Sequence, residues 1–195
     1  MISKITVCNL ALAQLGQAPI SSLDQEDEKA RRLNLFYEPV RDEVLRTHNW
    51  AFAGVCEPLA LLAKESDAEG SFIYKYPAEA LFIRRVFLPQ APQQSLPFKE
   101  RFRSDLHCRT LSVAGRTAHA EYTRRITDEN LFDPAFVKSF SLALACDLAV
   151  ALTGDAQLAA QILQKYTLSL EEARRSNMTE NFLRAPSEDA FSGVR

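Results

Sequence analysis

The chain has 195 residues, 47% of them hydrophobic and 25% charged, which supplies apolar side chains for one sizeable core or two small ones. A net charge of −2 excludes a molecule that is strongly basic or acidic as a whole, so total charge implies no affinity for nucleic acid or membrane. The four cysteines, Cys8, Cys56, Cys108 and Cys146, include no Cys-x-x-Cys pair and are expected to be reduced thiols of a cytosolic protein, two of them on buried helix faces.

Met1-Ile2-Ser3-Lys4 lacks the charged start and long hydrophobic run of a signal peptide, so none is expected. Ser3 is placed to cap a first helix that runs to about Leu15, with Gly16 ending it. Ile5, Cys8, Leu12 and Leu15 form its stripe, and Val7 and Leu10 add apolar surface beside that stripe. A turn over 17–23 leads into the acidic run 24–28, whose charges suit the positive end of a helix dipole. Ala30, Leu33, Tyr37, Val40 and Val44 then recur at alternating three and four, predicting an amphipathic helix to about His48. Pro39 lies inside it. A proline there removes one backbone hydrogen bond and crowds the preceding turn, costing ~3 kcal/mol in a regular interior, so a kink or break is expected near Phe36.

From Trp50 the pattern changes. Residues 50–56 and 59–63 read as extended, 64–70 as a polar loop, and 72–76 and 81–88 as strands separated by Pro77. Residues 90–97, with Pro92 and two glutamines, read as an exposed loop. Phe98 to Phe102 alternates aromatic and charged residues, as a strand with one wet face does. Residues 106–113 and 118–126 are expected to form a hairpin about Ala114-Gly115, giving five or six short strands in one antiparallel sheet.

The stretch 133–152 anchors the chain. Asp133 is a good N-cap and Pro134 fits the first helical position, where no amide proton is needed. Phe136, Phe140, Leu142, Leu144, Leu148 and Ala149 surround the axis, and a helix apolar all round is normally a buried one. Its marginal length, with Lys138, Ser139, Ser141 and Asp147, argues against a membrane span. Gly154 ends it and Asp155 caps a last helix, with Leu158, Ile162, Tyr166 and Ala173 on one face and Leu163 and Leu170 at its edge, to about Met178. Residues 184–195 carry no pattern and read as a mobile tail. The expected fold is α+β: a four-helix bundle (1–49 and 127–183) with an antiparallel β-sheet domain (50–126) inserted between the second and third helices.

Little in the chain asks for catalysis. His107, Cys108 and His119 are the nearest approach to a metal cluster, but adjacent strand residues point to opposite faces, so they read as ordinary sheet residues. No Gly-rich phosphate loop and no Gly-x-Ser-x-Gly elbow occurs, and neither a cofactor nor an enzymatic activity is expected. Asp147 lies beside Phe140, Ala143 and Ala151 on an apolar helix face, so a buried carboxylate paired with an arginine of another helix is expected. Residues 72–126 carry ten Lys or Arg against four acids, a charge of +6, which leaves −8 for the remainder. Arg84, Arg101, Arg103, Arg116 and Arg124 are therefore candidates for a basic surface facing a partner or DNA, and a nucleic-acid-binding module is the alternative reading.

Three stretches carry a resemblance. They are Val7-Cys-Asn-Leu-Ala-Leu-Ala-Gln-Leu-Gly-Gln-Ala-Pro-Ile-Ser-Ser-Leu; Tyr37-x-x-x-Arg41-Asp-Glu-Val-Leu-Arg-Thr-His-Asn-Trp50-Ala-Phe-Ala; and Tyr74-Lys-Tyr-Pro77-Ala together with Glu121-Tyr-Thr-Arg-Arg-Ile-Thr-Asp128 and Asp133-Pro-Ala-Phe136. In order and spacing, from about Ile5 to Ala173, the chain resembles the tail tubular protein A family of short-tailed phages, the head-to-tail adaptor. The resemblance implies a helical bundle with an inserted β-domain and no catalysis. It further implies a ring of twelve copies beneath the portal protein, with a tail nozzle protein on the far side and DNA passing through without sequence-specific binding. The expected setting is the head-tail junction of a virion, and the host cytoplasm before assembly. On that reading Val7 and Leu10 are expected at the subunit interface. Residues 183–195 are expected to dock on the portal, with Phe191 and Val194 as apolar anchors and Leu183, Arg184 and Arg195 beside them.

Overall fold

The computed structural model describes residues 1–63 and 72–180. The polar stretch expected as a loop at 64–70 and the tail residues Leu183, Arg184, Phe191, Val194 and Arg195 lie outside them.

Helix α1 (Lys4–Gln14) begins where the Ser3 hydroxyl accepts from the Thr6 amide. Its buried residues are Val7, Cys8, Ala11 and Leu12. The buried face is therefore centred near Ala11, and Val7 belongs to it. Asn9, on the helix flank, pairs with both backbone groups of Ile20 at 2.9 and 3.0 Å and fixes the following turn. Helix α2 (Glu28–Arg46) is capped by Asp27 and runs unbroken through Pro39, against the expected break near Phe36. Pro39 and Leu35 are both exposed, so water can take the place of the amide that the Leu35 carbonyl lacks, and the proline costs less than in a buried interior.

Helix α3 (Pro134–Thr153) starts on the Asp133 carboxylate, which accepts from the Ala135 and Phe136 amides. It packs against α1, α2 and α4 (Ala156–Glu180). Phe136, Phe140, Leu144 and Leu148 are fully buried, and the Phe140 ring meets Tyr37 of α2 edge-on at 5.0 Å. Small residues let α4 approach: the buried Ser139 and Ser169 hydroxyls are 3.0 Å apart. Among the described residues α3 alone is long and apolar enough to cross a membrane, and 61% of that window is buried inside the protein.

Eight strands lie between α2 and α3 in the chain: β1 (Gly54–Pro58), β2 (Leu61–Ala63), β3 (Phe72–Lys75), β4 (Ala80–Leu88), β5 (Ala91–Leu96), β6 (Phe98–Arg103), β7 (Cys108–Val113) and β8 (His119–Arg124). They form two antiparallel four-stranded sheets, β1-β8-β4-β5 and β2-β3-β7-β6, in place of the single sheet expected. The fold is thus α+β, with four helices and two sheets. The stretch at 90–97 is largely strand β5. It pairs on one side only, and its exposed residues Pro92, Gln93, Gln94 and Ser95 sit at a wet sheet edge. Ala51–Ala53, expected to be extended, is a single 3-10 turn.

The predicted hairpin of β7 with β8 does not form. β7 lies between β3 and β6 (Phe72 and Phe98 both opposite Val113), while β8 lies between β1 and β4 (Val55 and Ile83 both opposite Tyr122). Crossing from one sheet to the other lets Leu111 and Val113 bury against the same core as Ala120 and Tyr122. That core is separate from the helical one. Trp50, Ala53, Ile126 and Phe132, from the segments entering and leaving the strands, bury with the helices, as does Leu81 of β4.

Candidate interaction surfaces

The segment between α2 and β1 is held from three directions. Trp50 is buried, donates from Nε1 to the Val44 carbonyl at 3.1 Å, and sets its ring edge-on to Phe136 of α3. Asn177, buried near the end of α4, accepts from the Ala51 amide at 2.7 Å and donates to the Asn49 carbonyl at 2.9 Å. Its amide nitrogen also faces His48 Nε2 at 2.9 Å. That nitrogen can only donate, so His48 Nε2 must accept and the imidazole is neutral with its proton on Nδ1. Burial, reinforced by the Arg174 and Arg84 cations, holds the His48 pKa below its usual value. Arg174 of α4 donates to the Thr47 carbonyl, and Arg46 at the end of α2 donates to the Leu81 carbonyl of β4. The lone tryptophan is a fair sequence signal for this junction. Asn177 gives none, because its partners lie 126 and more residues away.

The five candidate basic residues are distributed over different surfaces. Arg84 of β4 is used within the junction: it donates to Thr123 Oγ1 and to the Arg46 and His48 carbonyls, and lies over the Phe82 ring at 4.7 Å. Arg124, at the end of β8, is 3.8 Å from Glu79. Arg101 and Arg103 belong to β6 in the other sheet, where Arg103 pairs with Asp105. Arg116 is exposed between the sheets in the chain. The register adds a residue that sequence reasoning missed. Thr110 of β7 lies opposite both Lys75 of β3 and Arg101 of β6, so these two cations share one row on the outer face of that sheet.

Val7 is fully buried within its own chain and offers no surface to a neighbouring subunit, which corrects the expectation for it, whereas Leu10 is 41% exposed. Asp147 is exposed, against the expectation of a buried pair. It sits at the border between α3 and α2, where partial burial and then the like charge of Glu43 raise its carboxyl above the usual value. His107 occupies the turn before β7 with φ of 46°, Cys108 opens β7, and His119 opens β8 in the other sheet. Among the described residues, no group of three His, Cys, Asp or Glu is placed to hold a metal ion.

A cleft of about 370 Å³ opens between α1, α3 and α4, lined by Gln14, Lys138, Ser141, Leu142, Lys165 and Leu168 among others. Leu10, one helical turn before Gln14, stands on the same side of α1. No family model matches the chain, and no curated protein matches it.

Proposed function

We propose that this protein is a structural head-to-tail adaptor of a tailed phage, a four-helix bundle with an inserted β-domain that assembles into a ring, dodecameric as the resemblance implies, between a portal and a tail nozzle. One observation carries the reading. A helix apolar on nearly every side is in contact with the other three, and the strands, with a core of their own, fall between the second and third helices. These features support the helical bundle with an inserted β-domain that the resemblance implies, and such an arrangement suits a passive coupling piece with two surfaces to present. Domain limits of 1–49 with 127–183, and 50–126, follow the same division. The protein turns over no substrate on this reading, and DNA passes through the ring without sequence-specific contacts. Electron microscopy of the purified protein mixed with its portal tests the proposal: rings seated on the portal are expected, and no assembly under any condition would refute it.

A second reading, nucleic-acid binding through the strands, is favoured by one observation: Lys75 and Arg101 occupy a single outer row. It predicts affinity for duplex DNA that falls steeply with salt, whereas the adaptor reading predicts weak binding at every salt concentration.

A further inference from the structure

Two surfaces of the helical part match each other in both spacing and sign. On α2, Arg31, Leu35 and Glu38 are exposed along one face, and Leu35 is 67% exposed. Read from the N-terminus, the order is cation, leucine, anion, with intervals of four and three residues. On α4, Lys165, Leu168 and Glu172 are exposed, and Leu168 is 63% exposed at the border of the cleft beside α1 and α3. The order is again cation, leucine, anion, but the intervals are three and four. Laid antiparallel, the two helices bring Arg31 to Glu172, Leu35 to Leu168 and Glu38 to Lys165. The charged residues stand about 6 Å and about 4.5 Å along the axis from the leucines on both sides. Parallel alignment would set like charges together and lose the register.

The two surfaces also face opposite ways. Tyr37 of α2 and Phe140 of α3 meet at 5.0 Å and mark the direction in which these helices touch. Leu35 is two residues from Tyr37, and Lys138 and Leu142 are two residues from Phe140. At 100° per residue each lies about 200° around its helix from that contact. Leu35 therefore points outward from one flank of the α2–α3 pair, and the cleft opens on the other.

We infer that the Arg31-Leu35-Glu38 face of α2 docks on the Leu168 side of the α1–α3–α4 cleft of a second copy of this chain. Different patches on two copies make a heterologous contact, which repeats from subunit to subunit and closes into a ring when the rotation permits. Leu35 enters the cleft over Leu142, while Glu38 reaches Lys165 and Arg31 reaches Glu172, which in the single chain meets the exposed Lys138 at 3.4 Å. The inference deepens the ring reading by naming its interface, and this replaces the buried Val7.

Cross-linking tests it. In a Cys56→Ser, Cys108→Ser background, a chain carrying both Leu35→Cys and Leu168→Cys is oxidised and run without reductant. A ladder of multimers is expected, only dimers when the two single variants are mixed, and none from either alone. Dimers from Leu35→Cys alone, or no cross-link at any concentration, overturn the inference. In uncross-linked protein, Glu38→Lys or Lys165→Glu is expected to weaken self-association about tenfold or more, and the double exchange to restore it. An unrestored double exchange counts against the pairing. Rings seen by microscopy without a 35–168 cross-link would leave the ring reading standing and remove this interface. A ladder of open chains without rings would do the reverse.

Discussion

Replacing Asn177 by alanine removes a side chain that, alongside Arg174, ties the end of α4 to the segment entering the strands. The Ala51 amide loses its acceptor at 2.7 Å and the Asn49 carbonyl its donor at 2.9 Å. A buried polar group left without a partner costs about 1–3 kcal/mol. Ala51 is exposed and Asn49 half-buried, so water recovers part of each loss and the lower half of that range applies. For the two groups together the expected destabilisation is about 2–4 kcal/mol, or about 4–16 °C in Tm for a chain of this size. Thermal melts read by Trp50 fluorescence and by helical circular dichroism measure it, since Trp50 is the chain's only tryptophan and sits within the junction. A melting point within about 1 °C of the parent would refute the assignment of Asn177 as the clamp. Asn177→Asp sharpens the test. It keeps the acceptor for Ala51, turns the donor to Asn49 into a second acceptor, and gives His48 an anion that favours its protonation.

His48 makes stability depend on pH. Its folded pKa is lowered, so protonation favours the unfolded chain: the contribution is intact above the ordinary histidine range of about 6.5 and declines as pH falls from there toward the folded value. Urea midpoints measured from pH 7.5 downward should fall, and His48→Gln should flatten the dependence; an unchanged slope would count against it. Cys8 is fully buried and its thiol is pushed up to about 12, mainly by burial. Alkylation followed by mass spectrometry should therefore label the exposed Cys56 first and Cys8 only on unfolding. Gly154 closes α3 with φ of 67° and nothing within 4 Å of a built Cβ. Gly154→Ala should cost only the left-handed backbone penalty of about 1–2 kcal/mol, visible as a small drop in Tm without loss of helix.

What the sequence discloses depends on how local each determinant is. The Asp133-Pro134 cap, the all-round apolar run and Gly154 define α3 within twenty residues, and the helix begins and ends where they indicate. The Asp155 cap of α4 is read the same way, since its carboxylate does accept from Gln157 and Leu158. The pairing of β7 with β8 is misread because Ala114-Gly115 signals a reversal without saying which sheet receives the next strand. Apolar alternation looks alike in either sheet. The polar β5 has the composition of a loop because a wet edge strand and a loop face the same solvent. Val7 and Asp147 show how fine the margin is on a helix. A shift of one residue in the centre of the buried face turns Val7 inward, and α2 covers Phe140 while leaving Asp147 at its border. The clamp at Asn177 and the shared row of Lys75 and Arg101 depend on tertiary pairing, so no window of sequence contains them.

The place of α3 in the chain also governs how the molecule is made. Val7, Cys8, Ala11 and Leu12 of α1, and Leu33, Tyr37 and Val40 of α2, share a core with a helix that starts only at residue 134. The first two helices therefore leave the ribosome without the surface they will cover, and the whole strand-bearing stretch between Arg46 and Pro134 must be translated before it appears. A nascent chain halted before residue 133 holds two greasy rods without the helix that buries them, which makes it a substrate for chaperones or proteases, not a partly folded domain.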